Sequence, residues 1–396
     1  MTQKVTYFLL NILGFILIVK WFIQQVKDYK SLDQKVRYFS FKRFKYILLA
    51  LIIISLPLLL INFTEIEVAH HLSKDLLKKN QKGFALITSL IISLIWLFYI
   101  LKLDIFDKEK KRYILFIFVL SIIFTLLADI PYTVFYRLGF RDSAQAASGF
   151  IYSVFGIGLI EESIKFIPLL IILLFTKAID EPYDYILYAS VTALGFAFVE
   201  NTMYLNKYGL EIISGRALYA TVAHMTFSSI LVYGLIINKY KLSKFNPILI
   251  FITFYFFAIF SHGFYDFWLM NKSVTHLNGL SSIFLLIGVH IWFTLKNNSI
   301  NISNYYTDNK TLNNDSLKVY LTMGLLSILM SSYLYIAFKY NQKSANDFFM
   351  ESVFIYGYLI FYLIATLSQY NLVQGMINPI RLSMKNIIPK KKNDAY

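Results

Sequence analysis

Two adjacent glutamates, Glu161 and Glu162, lie with Lys165 inside an otherwise uncharged apolar run from Gly149 to Phe175. An ionisable side chain near the centre of a bilayer costs at least about 2.5–3.5 kcal/mol. A chain keeps such a triad only where the groups are paired, hydrated in a cavity or used in chemistry. Glu161 and Lys165 are four residues apart and share a helix face. We therefore expect these two to form an ion pair that leaves Glu162 free to act on water.

Unusual polar residues also occur in the three apolar segments that follow. The next segment carries Glu200 and Asn201, the one after it carries His224, and the third carries His262 and Asp266 at i, i+4 spacing on one helix face. A carboxylate and an imidazole beside a water form a general-base pair. Two histidines and a glutamate also suffice to bind zinc with one position left for water. Both arrangements are typical of hydrolysis.

Membrane-spanning helices must position these residues. The chain has 396 residues, of which 57% are hydrophobic and 15% charged, a composition typical of a polytopic membrane protein. A bilayer requires about 20 mostly apolar residues per helix. This criterion predicts an all-α transmembrane bundle of about eleven spans, at 5–23, 47–63, 84–101, 113–135, 149–176, 185–205, 217–238, 248–270, 279–295, 319–338 and 352–370.

Basic residues indicate the orientation of the bundle in the cell membrane. Roughly two thirds of the 38 Lys and Arg residues lie in alternate segments, which predicts an outside N-terminus and a cytoplasmic C-terminus. In that orientation Glu200, His224 and His262 lie about 7–12 Å below the outer membrane boundary, and the paired glutamates about 18–20 Å below it. Helices running in alternating directions thus predict one hydrated site in the outer half of the membrane.

The composition excludes several classes of function. Cysteine is absent, which removes disulfides, thiolate nucleophiles and cysteine-based metal sites. The net charge of +15 lies between apolar spans, which predicts contact with anionic lipid and not with nucleic acid. We divide the chain into N-terminal helices of unknown role, a catalytic core, a polar linker, and a C-terminal helix pair with a basic tail: 1–144, 145–296, 297–318 and 319–396.

Four short motifs in order on successive helices carry a family resemblance. Glu-Glu-x-x-Lys at 161–165, Phe-x-x-x-Glu-Asn at 196–201, His224, and His-x-x-x-Asp at 262–266 resemble the PrsW family of intramembrane proteases. That family is similar to the CAAX prenyl endopeptidases and the bacteriocin-immunity proteins. The resemblance covers about residues 145–296.

The resemblance implies a bacterial membrane endopeptidase that cuts a membrane-anchored protein near the outer face, such as an anti-sigma factor in regulated proteolysis. In the implied centre one glutamate activates water while the histidines bind metal or polarise the carbonyl. Zinc held by Glu162, His224 and His262 is the implied cofactor, and a metal-free glutamate mechanism is the alternative. The implied catalytic residues are Glu161, Glu162, His224 and His262, with Lys165, Glu200, Asn201 and Asp266 supporting them.

The same polar cavity is compatible with functions other than proteolysis. One alternative is an immunity or scaffold factor, and another is a transporter that uses Glu, His and Asp as a proton relay. A protease needs no ion gradient, whereas a proton-coupled transporter loses function when the gradient is collapsed. The sequence alone leaves metal dependence, substrate identity and oligomeric state open.

Overall fold

A computed structural model describes residues 51–60, 78–307, 314–369 and 372–379, together with positions 12 and 16. Within these ranges every regular element is helical, as the sequence predicts. We number the helices α1 Leu51–Leu60, α2 Gln81–Leu103, α3 Lys111–Arg137, α4 residues 146–175, α5 Pro182–Tyr208, α6 Leu210–Lys239, α7 Pro247–Met270, α8 Gly279–Asn301, α9 Asn314–Lys339 and α10 Gln342–Leu367.

The described helices confirm a multi-pass, all-α membrane protein. By length and composition, α2, α3 and α5 to α10 are able to cross a membrane. The helix α4 is as long and almost as apolar, but it carries the charged triad. The predicted spans from 84–101 onward each coincide with one of α2 to α10. Apart from positions 12 and 16, the predicted span 5–23 lies outside the described residues, and 47–63 is described only as α1.

The segment predicted as a polar linker, 297–318, is partly helical. The helix α8 continues through Asn301, and α9 already begins at Asn314. Asn298 is buried near the end of α8, and its side-chain amide donates a hydrogen bond to the carbonyl oxygen of Asn378 at 2.9 Å. Polar residues here join a helix end to a neighbouring segment, and the bounds of the linker stay a prediction.

Two helices, α5 and α6, occupy the centre of the bundle. Of their apolar windows, 78% and 83% of residues are buried, compared with 28% in α3 and 33% in α10. The helix α5 packs against α2, α3 and α6, and α6 packs in turn against α7 and α8. Polar side chains on α5 and α6 therefore point into protein and not into lipid.

Glycines allow α4 and α7 to approach closely. A Cβ atom added to Gly158 would lie 2.5 Å from the carbonyl oxygen of Ile259, and one added to Gly263 would lie 2.4 Å from the Cα of Val154. Small residues permit such backbone contact between membrane helices. This contact brings the charged turn of α4 against the neighbour of Gly263, His262.

Candidate active site

Irregular turns precede the polar residues on two of the four helices. A π-helical segment, Tyr152–Gly158, ends three residues before Glu161 on α4, and a second one, Arg216–Ala220, ends four residues before His224 on α6. Such π-bulges within α-helices are frequent at functional sites. The irregular backbone of α4 and α6 therefore lies within about one helical turn of the polar residues.

Glu162 is held at both of its carboxylate oxygens. Its Oε1 lies 2.8 Å from Lys165 Nζ and 2.7 Å from His262 Nδ1. Its Oε2 accepts a hydrogen bond from Ser228 Oγ at 2.8 Å. Because an ionised carboxylate only accepts hydrogen bonds, His262 donates to Glu162 from Nδ1. Glu162 is thus a fully paired group that orients His262.

Glu161 has one oxygen that is left without a hydrogen bond. Its Oε1 accepts from the Tyr132 hydroxyl at 2.8 Å. Its Oε2 is buried and has no hydrogen-bond partner among the described residues. That oxygen lies 3.3 Å from His262 Nε2 and 3.7 Å from Lys165 Nζ. A carboxylate oxygen and an imidazole nitrogen thus face each other across a short gap.

Lys165 contacts both glutamates of the triad, and not only the expected Glu161. Lys165 lies closer to Glu162, at 2.8 Å, than to Glu161, at 3.7 Å. Residues three apart on a helix also meet, and His262 from α7 fixes Glu162 in that pairing. The expected ion pair between Lys165 and Glu161 is present, but Glu162 is not left free, because Lys165 and His262 both contact it. The catalytic role of each glutamate stays a prediction.

The histidine of α6 is held by a second charged group. His224 Nε2 lies 2.8 Å from Glu200 Oε2, which also accepts a hydrogen bond from Arg216 Nη2 at 2.5 Å. Arg216 Nε donates to Asn201 Oδ1 at 2.7 Å. Glu200 therefore holds the imidazole of His224. Asn201 holds Arg216, which in turn pairs with Glu200.

Lys165 joins the two halves of the cluster. Its Nζ lies 3.0 Å from His224 Nδ1 and 4.3 Å from the centre of the Phe196 ring. On the far side, Asp266 Oδ2 lies 3.4 Å from His262 Nε2. The eight residues predicted from the sequence thus form one connected cluster contributed by α4, α5, α6 and α7.

The cluster fits a catalytic metal by its donor set. Glu161, His224 and His262 each offer a ligand atom, and these atoms lie within 4.8 Å of one another. Two histidines and one carboxylate are a ligand set of catalytic zinc sites. This set contains Glu161 in place of the predicted Glu162, which lies behind His262 as carboxylates commonly do behind metal-binding histidines. Lys165 Nζ contacts His224 Nδ1, so this nitrogen can bind a metal only if the lysine side chain moves away from it.

The family follows from comparison with known proteins. A family model described as PrsW family intramembrane metalloprotease matches residues 109–295. Protease PrsW of Bacillus subtilis strain 168 is 31% identical over 163 residues, which is 40% of this chain and 71% of that relative. The chain belongs to the PrsW family. No solved structure matches it.

Other PrsW relatives match a similar share of the chain. Protease PrsW of Oceanobacillus iheyensis is 30% identical over 131 residues, and that of Geobacillus kaustophilus is 32% identical over 130 residues. These matches cover 33% of this chain, and 60% and 55% of the two relatives. The PrsW family match includes all eight residues of the cluster, while α1, α2, α9 and α10 lie outside it.

Three contacting residues were missed by sequence reasoning. The span predicted at 217–238 left Arg216 in a loop, whereas α6 begins at Leu210 and Arg216 lies inside it. Its charge at the edge of an apolar run was the available signal. Tyr132 and Ser228 gave no such signal, because hydroxyls are common in membrane helices and only tertiary packing aims these two at the glutamates.

Proposed function

We propose that this PrsW family member is an intramembrane endopeptidase that hydrolyses a peptide bond of a membrane-anchored protein. The observation that carries the proposal is the buried Glu161 Oε2, which has no hydrogen bond among the described residues and lies 3.3 Å from His262 Nε2. A carboxylate oxygen beside an imidazole is an arrangement that takes a proton from water. The paired charges around it keep that oxygen in position.

In the proposed reaction, water attacks the carbonyl carbon of the scissile bond, and its proton passes to Glu161. The tetrahedral intermediate collapses as the carbon–nitrogen bond breaks, and Glu161 returns the proton to the leaving amine. The cationic side chain of Lys165, 3.7 Å from Glu161 Oε2, is suited to stabilising the negative charge of the intermediate. Glu162 and Glu200 hold His262 and His224 in fixed orientations.

The metal-dependent form of the mechanism uses the same residues differently. Glu161, His224 and His262 would hold the ion, and a zinc ion in such a site lowers the pKa of water and polarises a carbonyl. Glu161 would then serve as a ligand, and Glu162 would keep His262 in the orientation that exposes Nε2. The two forms therefore differ chiefly in the task of Glu161 Oε2.

The proposed side of cleavage depends on the predicted orientation of the bundle. His262 and Glu200 each lie eight residues before the end of their helix, Met270 and Tyr208, which corresponds to about 12 Å of helix. With an outside N-terminus, as the basic residues predict, those ends face the exterior. We propose cleavage near the extracytoplasmic face, with a single-span anti-sigma factor as the substrate.

The test measures cleavage of a tagged single-span anti-sigma factor by the purified full-length chain in detergent. Glu161→Gln and Glu162→Gln are each expected to reduce cleavage by at least about a thousandfold, which corresponds to about 4 kcal/mol of transition-state stabilisation. The matched control is Glu351→Gln, because Glu351 is exposed on α10 far along the chain from the cluster. Wild-type cleavage by folded Glu161→Gln and Glu162→Gln proteins would contradict the proposal.

Metal dependence is decided in the same assay. Dialysis against a zinc chelator is expected to abolish cleavage, and added zinc is expected to restore it, if Glu161 acts as a ligand. Full cleavage activity in protein that has been shown to be metal-free after chelation would instead indicate that Glu161 accepts the proton from water. Solute transport in reconstituted vesicles that stops when the proton gradient is collapsed would instead favour a transporter.

A further inference from the structure

A second group of carboxylates lies at the other end of the bundle. Asp104 follows the last residue of α2, Glu181 immediately precedes α5, and Asp184 lies in the first turn of α5. Each offers a carboxylate oxygen, and the three oxygens lie within 4.8 Å of one another. The three residues are 3%, 1% and 0% exposed. We call Asp104, Glu181 and Asp184 the acidic cluster.

Hydrogen bonds occupy only one oxygen of each aspartate. Asp104 Oδ2 accepts from the backbone amide of Glu109 at 2.8 Å, and Asp184 Oδ2 accepts from the backbone amide of Glu181 at 2.8 Å. The other oxygens, Asp104 Oδ1 and Asp184 Oδ1, are buried and have no hydrogen-bond partner among the described residues. Two buried acceptor oxygens without donors are costly, and they belong to carboxylates that converge on one point.

In the described part of the chain, no basic side chain forms an ion pair with the acidic cluster. Among the described residues, no lysine, arginine or histidine nitrogen lies within 4 Å of Asp104, Glu181 or Asp184. Such carboxyls either retain protons or require a bound positive charge.

We propose that Asp104, Glu181 and Asp184 bind a hard divalent cation of the magnesium and calcium class. Such ions prefer carboxylate oxygens at about 2.0–2.6 Å, so ligand oxygens on one ion are at most about 4–5 Å apart. The spacing of the three oxygens, within 4.8 Å, meets this limit. The unpartnered Oδ1 atoms of the two aspartates supply the donor oxygens.

The site is separate from the candidate active site and has a structural task. Asp184 and Glu200 lie on the same helix, 16 residues and therefore about 24 Å apart. Ser303, after the end of α8, donates a hydrogen bond to Glu181. A cation held by the acidic cluster therefore joins the ends of α2 and α5, and Ser303 connects the end of α8 to them. In the predicted orientation this end faces the cytoplasm, where magnesium is available.

The test uses the full-length chain in detergent after chelator treatment and dialysis. Thermal unfolding is followed while magnesium, calcium or manganese is added in separate titrations. The wild type is expected to show a saturable rise in Tm, and the cation with the lowest half-saturating concentration identifies the preferred ion. Asp104→Asn and Asp184→Asn are expected to weaken the binding by at least about tenfold. The control Asp315→Asn, at an exposed position, is expected to titrate like the wild type.

Two further measurements keep this site apart from the active site and from simple misfolding. Glu161→Gln is expected to retain the full Tm response. Bound manganese, counted by electron paramagnetic resonance, is expected to fall by one ion per chain in folded Glu181→Gln. A wild-type Tm that is the same with and without every cation, or Asp104→Asn and Glu181→Gln proteins that bind manganese as the wild type does, would overturn the proposal.

Discussion

The two buried groups of carboxylates in this protein are balanced in different ways. In the membrane, Glu162 contacts Lys165, and Glu200 contacts Arg216, at 2.8 and 2.5 Å. In the acidic cluster near the ends of α2 and α5, the described residues provide backbone amides and hydroxyls as partners but no basic side chain within 4 Å. The first group carries its own counter-charges, whereas the second depends on protons or on a bound cation.

The two groups are expected to respond differently to the loss of a charged side chain. Removing one partner of a buried ion pair leaves an uncompensated charge and typically costs about 3–5 kcal/mol. Replacing a buried carboxyl that has no protein cation by a neutral amide leaves no such charge behind. Both groups nevertheless contain buried oxygens without hydrogen-bond partners among the described residues, namely Glu161 Oε2, Asp104 Oδ1 and Asp184 Oδ1. In each group these oxygens mark where water or a ligand is expected to act.

Removing a single charge from each group tests whether the two groups differ in stability. Lys165→Met is expected to lower the free energy of unfolding by about 3–5 kcal/mol, because Glu162 keeps its charge at a buried position. Asp104→Asn, measured in the absence of divalent cations, is expected to leave stability unchanged or raise it. Thermal unfolding in detergent measures both. Lys318, whose side chain is 44% exposed and lies 4.0 Å from that of Asp315, gives the control Lys318→Met, whose effect is expected to stay within about 0.5 kcal/mol. Equal losses in Lys165→Met and Asp104→Asn would erase the distinction.

Span positions were predictable because the bilayer imposes a length and a composition on each helix. The helices α2 to α10 follow those constraints, including α4 with its three charges. The helix termini were less predictable, since Asn298 and Asn301 look like loop residues but form hydrogen bonds at the end of α8. The proposed domain boundaries and the orientation stay predictions.

The membership of the membrane cluster was also predictable, because polar residues in lipid-facing sequence have few explanations. Which groups pair within it was not. Helix geometry alone permits Lys165 to meet either glutamate. The choice depends on His262 and Ser228, which reach Glu162 from α7 and α6. The pairing within the cluster therefore depends on tertiary contacts, which the sequence of one helix does not contain. The acidic cluster was not predicted for the same reason, because its residues come from the ends of two helices.

The second prediction concerns the counter-charge on the His224 side. Arg216→Gln is expected to reduce cleavage by about 10- to 100-fold, because Glu200 loses its arginine and holds His224 less firmly. As Arg216 positions other groups, we expect kcat to fall with little change in KM. Arg137→Gln, at an exposed position on α3, is the matched control. An unchanged kcat would mean that Glu200 needs no counter-charge, and the contrast with the acidic cluster would then hold only for Lys165.

The smallest expected effect tests the neutral partner of Glu161. Tyr132→Phe removes the hydroxyl that donates to Glu161 Oε1 at 2.8 Å but keeps the ring. A hydrogen bond of this kind contributes about 0.5–1.5 kcal/mol, so cleavage is expected to fall by about 2- to 10-fold. Tyr136→Phe, four residues further along α3 and 57% exposed, is the matched control and is expected to behave as the wild type. A loss in Tyr132→Phe as large as that in Glu161→Gln would show that Glu161 depends on this one neutral donor. The membrane cluster would then resemble the acidic cluster, in which neutral donors and not protein cations hold the carboxylates.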